Sequence, residues 1–458
     1  MSTAAGVLSE RDRGRGRALG AARLEASLAG VGLAVIALHV LDDSFFQPQP
    51  GTSAGDHLVS GLVPFAVLLG AAMTYARLRA GLRASLAVAL GLFGVATGIE
   101  AVYYLDAGRL SGDDYTGLLA IPGGLLLVGV GAVTLWRSRH AGPSLPRRWL
   151  RRALLAAGTV VLGYLIVLPF LLSHVLTHSA RAFVPSDHVG AAHENVVFKT
   201  ADGLRLRGWY VPSKNGAAVI AFPGRKGTQR PARVLARHGY GVLLFDRRGE
   251  GESDGDPNAF GWAGHQDVAA AVRFLQRRPD VEQDRIGGIG LSVGGEMMLE
   301  SAAKSPGLKA VVSEGAGERS VREYLDMTGS RKWLEIPTSM ALTAGIALFS
   351  NTPPPESLKD LVGRIAPTPV FFIYGERGQD GERNLNPTYY RSAGEPKAIW
   401  KVPGSGHTGG INARPKEYER RVIGFFDGRC CGTNRSRSRC GCRPGPPSAR
   451  SRGSLRRG

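Results

Sequence analysis

Gly290-Leu291-Ser292-Val293-Gly294, with Gly295 following, is a G-x-S-x-G run between an apolar strand-like segment (285–290) and a helical one (294–304). A serine on such a strand-to-helix turn can serve as a nucleophile, because the strained turn presents its Oγ at the edge of a sheet. The glycines remove Cβ atoms that would block the tight turn and the close packing of helix on strand. The backbone N–H of Val293, directly after the serine, then points toward the oxygen that turns negative when a carbonyl is attacked. The chemistry of such a site is acyl transfer through a covalent ester on Ser292.

A serine so positioned needs a sheet beneath it. From residue 195 onward, short β-rich runs alternate with amphipathic helical stretches, the pattern of a mostly parallel α/β sheet. Residues 195–199 and 204–211 flank an Asp202-Gly203 turn and read as an entering hairpin. Further strands are expected at 217–222, 241–245, 285–290, 310–313, 370–374 and 398–402. Helices are expected at 231–238, 265–277, 294–304 and 319–328.

Residues from about 195 to 427 resemble the α/β-hydrolase superfamily, particularly its peptidase- and esterase-like members. Besides the serine motif, Asp246-Arg247-Arg248-Gly249-Glu250-Gly251-Glu252-Ser253 is similar to the D-x-R-G-x-G-x-S segment that follows the family's fourth strand. The resemblance implies an α/β-hydrolase fold, with a mostly parallel, doubly wound sheet, and a serine hydrolase. It also implies partners for Ser292. Gly404-Ser405-Gly406-His407-Thr408-Gly409-Gly410 follows the last strand, where the family carries its histidine. His407 would act as general base and then as acid to the leaving group. The family's acid comes shortly after the strand 370–374. Its usual position, three residues past Gly375, holds Gly378, so Asp380 is the first choice, Glu382 the alternative and Glu376 the third.

Pro223-Gly224-Arg225-Lys226-Gly227 stands in the place of the family's H-G-x-x-G oxyanion turn, with Pro223 where histidine is usual. Aligned this way, the N–H of Arg225 is the second oxyanion donor beside that of Val293, since backbone donation does not need the histidine. The side chains of Arg225 and Lys226 are expected to be solvated, and Arg248 to pin the glycine-rich loop. The remaining histidines fit structural roles better: His238 ends a helix, His265 opens one, and His174, His178, His188 and His193 fall near the linker. The segment 318–367 lies where the family inserts a lid over the site. Within it, 336–349 is apolar and is expected either to pack on the sheet or to cover the site. No cofactor and no metal is implied.

Ahead of this domain the chain is dominated by apolar runs at 24–41, 58–75, 84–105, 116–136 and 153–176. Crossing ~30 Å of hydrocarbon takes about 20 mostly apolar residues. The fold class is therefore an α/β-hydrolase preceded by an all-α transmembrane bundle of about five helices. Five arginines precede the first run, and the next loops carry none, three, one and six. That alternation predicts a cytoplasmic N-terminus and, after five crossings, an extracytoplasmic hydrolase domain. Glu100, the one acid well inside a run, is expected to snorkel or to pair between helices.

The expected organisation is a basic N-terminus (1–23), a membrane region (24–176), a linker (177–193), the hydrolase (194–428) and a disordered tail (429–458). The formal charge of +19 is not a nucleic-acid signature: residues 1–176 and 177–428 each carry +5, and the short tail carries +9. All four cysteines, Cys430, Cys431, Cys440 and Cys442, lie in that tail, whose composition cannot bury a core. The high Arg, Gly and Ala content suggests a GC-rich bacterial genome, making the membrane a plasma membrane. The function expected is a membrane-anchored serine hydrolase acting on a small-molecule, lipid or peptide acyl substrate, with the lipid bilayer as its partner and no nucleic acid. The alternatives are an inactive sensor or scaffold, and an acyltransferase.

Overall fold

The computed structural model describes residues 2–138, 145–181, 190–222, 225, 229–305 and 307–430. The tail read as disordered falls, from residue 431 on, outside the described residues, as do Pro223, Gly224, Lys226 and Gly227 of the oxyanion turn and His188 of the linker. The first part of the chain is helical: α1 (Ser2–Leu41), α2 (Leu58–Thr74), α3 (Ala80–Thr97), α4 (Ile99–Asp106), α5 (Asp114–Arg137), α6 (Leu145–Leu162) and α7 (Leu168–Thr177). Five stretches are long and apolar enough to cross a membrane: Gly20–Phe46, Ala54–Arg77, Ala80–Asp106, Asp114–Arg137 and Ala153–Thr177. They coincide with the five apolar runs of the sequence.

Glycine decides how these helices meet. A Cβ on Gly91 would lie 2.6 Å from the carbonyl oxygen of Gly124, and one on Gly98 would lie 2.5 Å from that of Gly117. Backbone thus touches backbone between the α3–α4 run and α5, the small-residue packing by which apolar helices associate without a hydrophobic driving force. Glu100 lines a cavity among these helices with His39, Asp43, Asp113 and His174.

The second part holds an eight-stranded sheet in the order β1-β2-β4-β3-β5-β6-β7-β8. Its strands are β1 (Glu194–Lys199), β2 (Arg205–Val211), β3 (Ala218–Phe222), β4 (Gly241–Phe245), β5 (Ile286–Leu291), β6 (Ala310–Glu314), β7 (Val370–Gly375) and β8 (Lys397–Val402). β1 and β2 form the expected hairpin, antiparallel from Glu194↔Tyr210 to Lys199↔Arg205, with Gly203 at φ +92° in its turn. From β4 to β8 every pairing is parallel. β3, β4, β5 and β6 are buried along their whole length, as strands covered on both faces must be.

One face is covered by α9 (Gly264–Gln276), α10 (Val293–Lys304), α13 (Leu358–Val362) and α14 (Asp380–Ser392), which join one apolar core. The other is covered by α8 (Arg230–Arg237) and α16 (Pro415–Cys430). α11 (Val321–Asp326) is shorter than the expected helix at 319–328 and starts at a Ser320–Glu323 capping box. α15 (Gly410–Ala413) is a single turn. α12 (Lys332–Phe349), holding the apolar stretch 336–349, does not pack on the sheet. It lies along α7 and the π-helical turn Gly163–Val167, with Phe349 between Phe93 and Phe170.

The two parts also meet through backbone. Gly255 N–H donates to the Pro50 carbonyl at 2.8 Å and Ala259 N–H to that of Leu176 at 3.0 Å. Arg181, just past α7, donates to Gln49 Oε1 at 2.9 Å and to the carbonyls of Ser253 and Gly255.

Candidate active site

Ser292 sits between the end of β5 and the first turn of α10, with φ +53° and ψ −126°. A non-glycine residue in that conformation costs about 1–3 kcal/mol and persists only where its surroundings enforce it. Here they do. The Ser292 N–H donates to the Glu314 carbonyl on neighbouring β6 at 2.8 Å. A Cβ on Gly290 would collide with the carbonyl oxygen of Gly294, and one on Gly294 would lie 2.7 Å from Phe222 Cβ on β3. The turn can be this tight only because both are glycine. Val293 is the first residue of α10, so its N–H belongs to the helix's unpaired first turn.

His407, in the loop between β8 and α15, approaches from the side. Its Nε2 lies 2.9 Å from Ser292 Oγ. Its Nδ1 lies 2.7 Å from Glu382 Oε2. Glu382 is 1% exposed, and its other oxygen accepts the N–H of Gly375 at the end of β7, at 2.7 Å. That hydrogen bond to Glu382 is the main reason the His407 imidazolium is stabilised and its pKa raised above the ordinary 6.5, with burial opposing the shift.

The carboxylate beside His407 is therefore that of Glu382 and not that of Asp380, the first choice from the sequence. Asp380 opens α14 with a side chain 53% exposed and pairs with Arg383. The two lie two residues apart on a helix, about 200° around its axis, and so on opposite faces. Glu382 shares its face with Leu385, Asn386 and Tyr389, all buried. Gly378, where the family's acid usually stands, leaves the space that Glu382 fills: a Cβ there would lie 2.5 Å from the Glu382 carboxyl carbon. Glu376, the third choice, is exposed. It accepts the N–H of Gly404 at 2.9 Å, at the start of the His407 loop, without approaching the histidine.

A residue the sequence reading overlooked secures the other side of that loop. Glu314, at the end of β6, accepts the Gly410 N–H and the Tyr418 hydroxyl, both at 2.8 Å. Burial pushes its pKa up. Glu296, one turn past Ser292 on α10, is likewise buried. Desolvation raises its pKa to about 7, and it accepts the Gly317 N–H at 3.2 Å. Their only sequence signal is an acid inside an otherwise apolar or glycine-rich run.

Arg225, expected to be solvated, is instead 5% exposed. Its Nε donates to Asp246 Oδ2 at 3.0 Å, Nη2 reaches Glu252 at 2.9 Å, and the guanidinium lies 5.0 Å from the centre of the Trp209 ring. The segment 246–253 thus holds the Arg225 side chain as well as shaping its own loop. Arg248 pins that loop as expected, through Asp267 at 2.8 Å and Asp202 at 2.9 Å. His238 pairs with Glu419 at 2.8 Å, and His265 Nδ1 lies 3.4 Å from Glu300. Among the described residues, no three His, Cys, Asp or Glu side chains converge as metal ligands.

The family model of the X-Pro dipeptidyl-peptidase (S15 family) matches residues 185–367. An uncharacterized protein of Mycobacterium tuberculosis is 32% identical over 232 residues, spanning 49% of this chain and 76% of the relative. The chain belongs to the α/β-hydrolase superfamily. The match to S15 covers the Ser292 turn, the Asp246–Ser253 loop and α12, and stops short of Glu382 and His407. The polyketide transferase grgF of Penicillium sp is 36% identical to this chain over 146 residues, 30% of this chain and 47% of the relative. The solved structure of a Pyrococcus furiosus esterase superposes with a TM-score of 0.45 at 22% identity, covering 55% of this chain and 97% of the esterase.

Proposed function

We propose that this hydrolase is a membrane-anchored serine hydrolase that cleaves an ester, thioester or amide bond through an acyl-enzyme on Ser292. The observation that carries the reading is the continuous chain from Ser292 Oγ through both His407 nitrogens to Glu382, with links of 2.9 and 2.7 Å. In the proposed first half-reaction, Ser292 Oγ attacks the carbonyl carbon while His407 Nε2 takes its proton. Glu382 fixes the imidazole and stabilises its cation, without itself taking the proton. The N–H groups of Val293 and Arg225 would hold the oxyanion. Collapse of the tetrahedral intermediate expels the leaving group with the proton from His407. A water activated by His407 then releases the acyl group.

The five apolar helices and the alternating arginine counts support a multi-pass anchor in a plasma membrane, N-terminus inside and hydrolase outside. A displaced acid and the missing oxyanion-turn histidine are what support an inactive scaffold; the contact of Glu382 with His407 supports the active reading. Transfer of the acyl group to an acceptor other than water is the second reading, favoured by the stretch shared with the Penicillium polyketide transferase.

A fluorophosphonate probe applied to membranes labels the wild type, and labelling vanishes in Ser292→Ala. An unlabelled but folded wild type overturns the mechanism. The pH profile gives a second check. His407 must be neutral to act as base, and its pKa is raised by Glu382. The ascending limb of kcat/KM is therefore centred above pH 6.5, and it moves to lower pH in Glu382→Gln. Gly378→Ala puts a methyl group against the Glu382 carboxylate. A displacement of that size lowers kcat/KM by about 100-fold. An unchanged rate in that variant would mean the acid does not depend on this space.

A further inference from the structure

α12 lies in the segment inserted between β6 and β7, yet it packs along helices of the N-terminal apolar region. Gly345 is pressed against Ser173 of α7 so closely that no side chain fits, and Phe349 lies 5.0 Å from Phe170 and 6.1 Å from Phe93. The opposite face is apolar and bare: Trp333 and Met340 are 65% and 57% exposed. The candidate span beside it is bare as well, at Ile166, Leu168 and Leu172. Exposed apolar surface of this extent needs a cover. On a helix docked along a membrane span, the cover is hydrocarbon.

Two further observations give this embedding a functional direction. Between α2, α3, α7 and α12 lies a cavity of about 200 Å³, walled by apolar side chains such as Leu68, Leu90, Phe170 and Leu348. At the other end of α12, Lys332 and Glu335 line a polar pocket of about 290 Å³ together with Asp380 and Arg383. Those last two residues are in the first turn of α14, which carries Glu382. One helix therefore runs from an apolar cavity among the membrane helices to the element that positions the acid.

We infer that α12 is embedded in the bilayer beside the fifth candidate span, and that the enzyme draws a long-chain acyl substrate from the lipid leaflet along it. The substrate half of this inference rests on the proposed serine hydrolase; the embedding half does not.

The embedding is read without catalysis. The full chain, with the four tail cysteines changed to serine, is reconstituted in phosphatidylcholine vesicles. It carries either Met340→Cys or, as an aqueous reference, Arg322→Cys, each labelled with a fluorophore. Nitroxides on the lipid acyl chains quench the label at 340 and spare that at 322, and aqueous iodide does the reverse. Iodide quenching at both positions overturns the embedding.

The substrate class is read as the ratio of two rates, hydrolysis of a vesicle-borne long-chain ester over that of a soluble short-chain ester. A lysine at 333 or 340 costs more than 1.4 kcal/mol on a lipid-facing surface, so the ratio falls about ten-fold or more in Trp333→Lys and Met340→Lys. A ratio that stays constant overturns the lipid substrate. A wild type inactive on both esters counts against the hydrolase reading instead, while the quenching result stands by itself.

Discussion

Glu382→Gln lowers kcat/KM by about ten-thousand-fold, while Asp380→Asn changes it little. The asymmetry follows from what each carboxyl touches. Glu382 is buried against His407 Nδ1 at 2.7 Å and against the Gly375 N–H. An amide there removes the charge that stabilises the imidazolium and favours the wrong tautomer, a change worth about 10⁴ in a Ser-His-acid enzyme. Asp380 faces solvent and pairs with Arg383, the kind of exposed ion pair worth about 0–1 kcal/mol. Hydrolysis of an activated soluble ester by the two variants decides between them. Equal losses would mean that both carboxyls serve the histidine. A loss in Asp380→Asn alone would return the acid to the position read from the sequence.

The second large effect is on stability. Arg225→Ala leaves Asp246, 4% exposed, with an N–H from Glu252 but no cation. Removing one member of a buried pair costs about 3–5 kcal/mol, because the other charge stays behind in a dry place. Burial already pushes the Asp246 pKa up, with Arg225 as the principal force pulling it down. Without that arginine the carboxyl must take up a proton or the loop must open to water. Changing both partners to apolar residues, as in Arg225→Met with Asp246→Leu, restores much of the loss. Thermal unfolding followed by tryptophan fluorescence reports both variants, Trp209 being the ring on which the guanidinium rests. A double variant no more stable than Arg225→Ala would show that the pair is not what the loop depends on.

The parts of the site written locally in the chain were readable from it. The elbow is five consecutive residues whose chemistry dictates their own conformation. His407 follows from a glycine-rich loop after the last strand. Counting from the strand points to Asp380, whereas the buried face of the coming helix points two residues further, to the carboxylate that touches His407. Glu382, Leu385, Asn386 and Tyr389 fall at i, i+3, i+4 and i+7. That spacing marks the buried stripe of a helix and excludes Asp380. Arg225 was read as solvated because nothing near it in sequence neutralises it; Asp246 lies 21 residues away. The partner of α12 was equally out of reach. An apolar helix states that it must be covered, but a membrane helix and a sheet make the same demand on composition.

Gly378 carries a consequence for how relatives should be compared. The residue there has no side chain, and a carboxylate reaching back from the following helix fills the room it leaves. The proposed role of orienting the histidine thus belongs to a point in space that two positions can supply, an aspartate at 378 or a glutamate at 382. An alignment that tracks the acid as a single column will score one of these lineages as having lost it. Superposition on the histidine ring will find the charge in both.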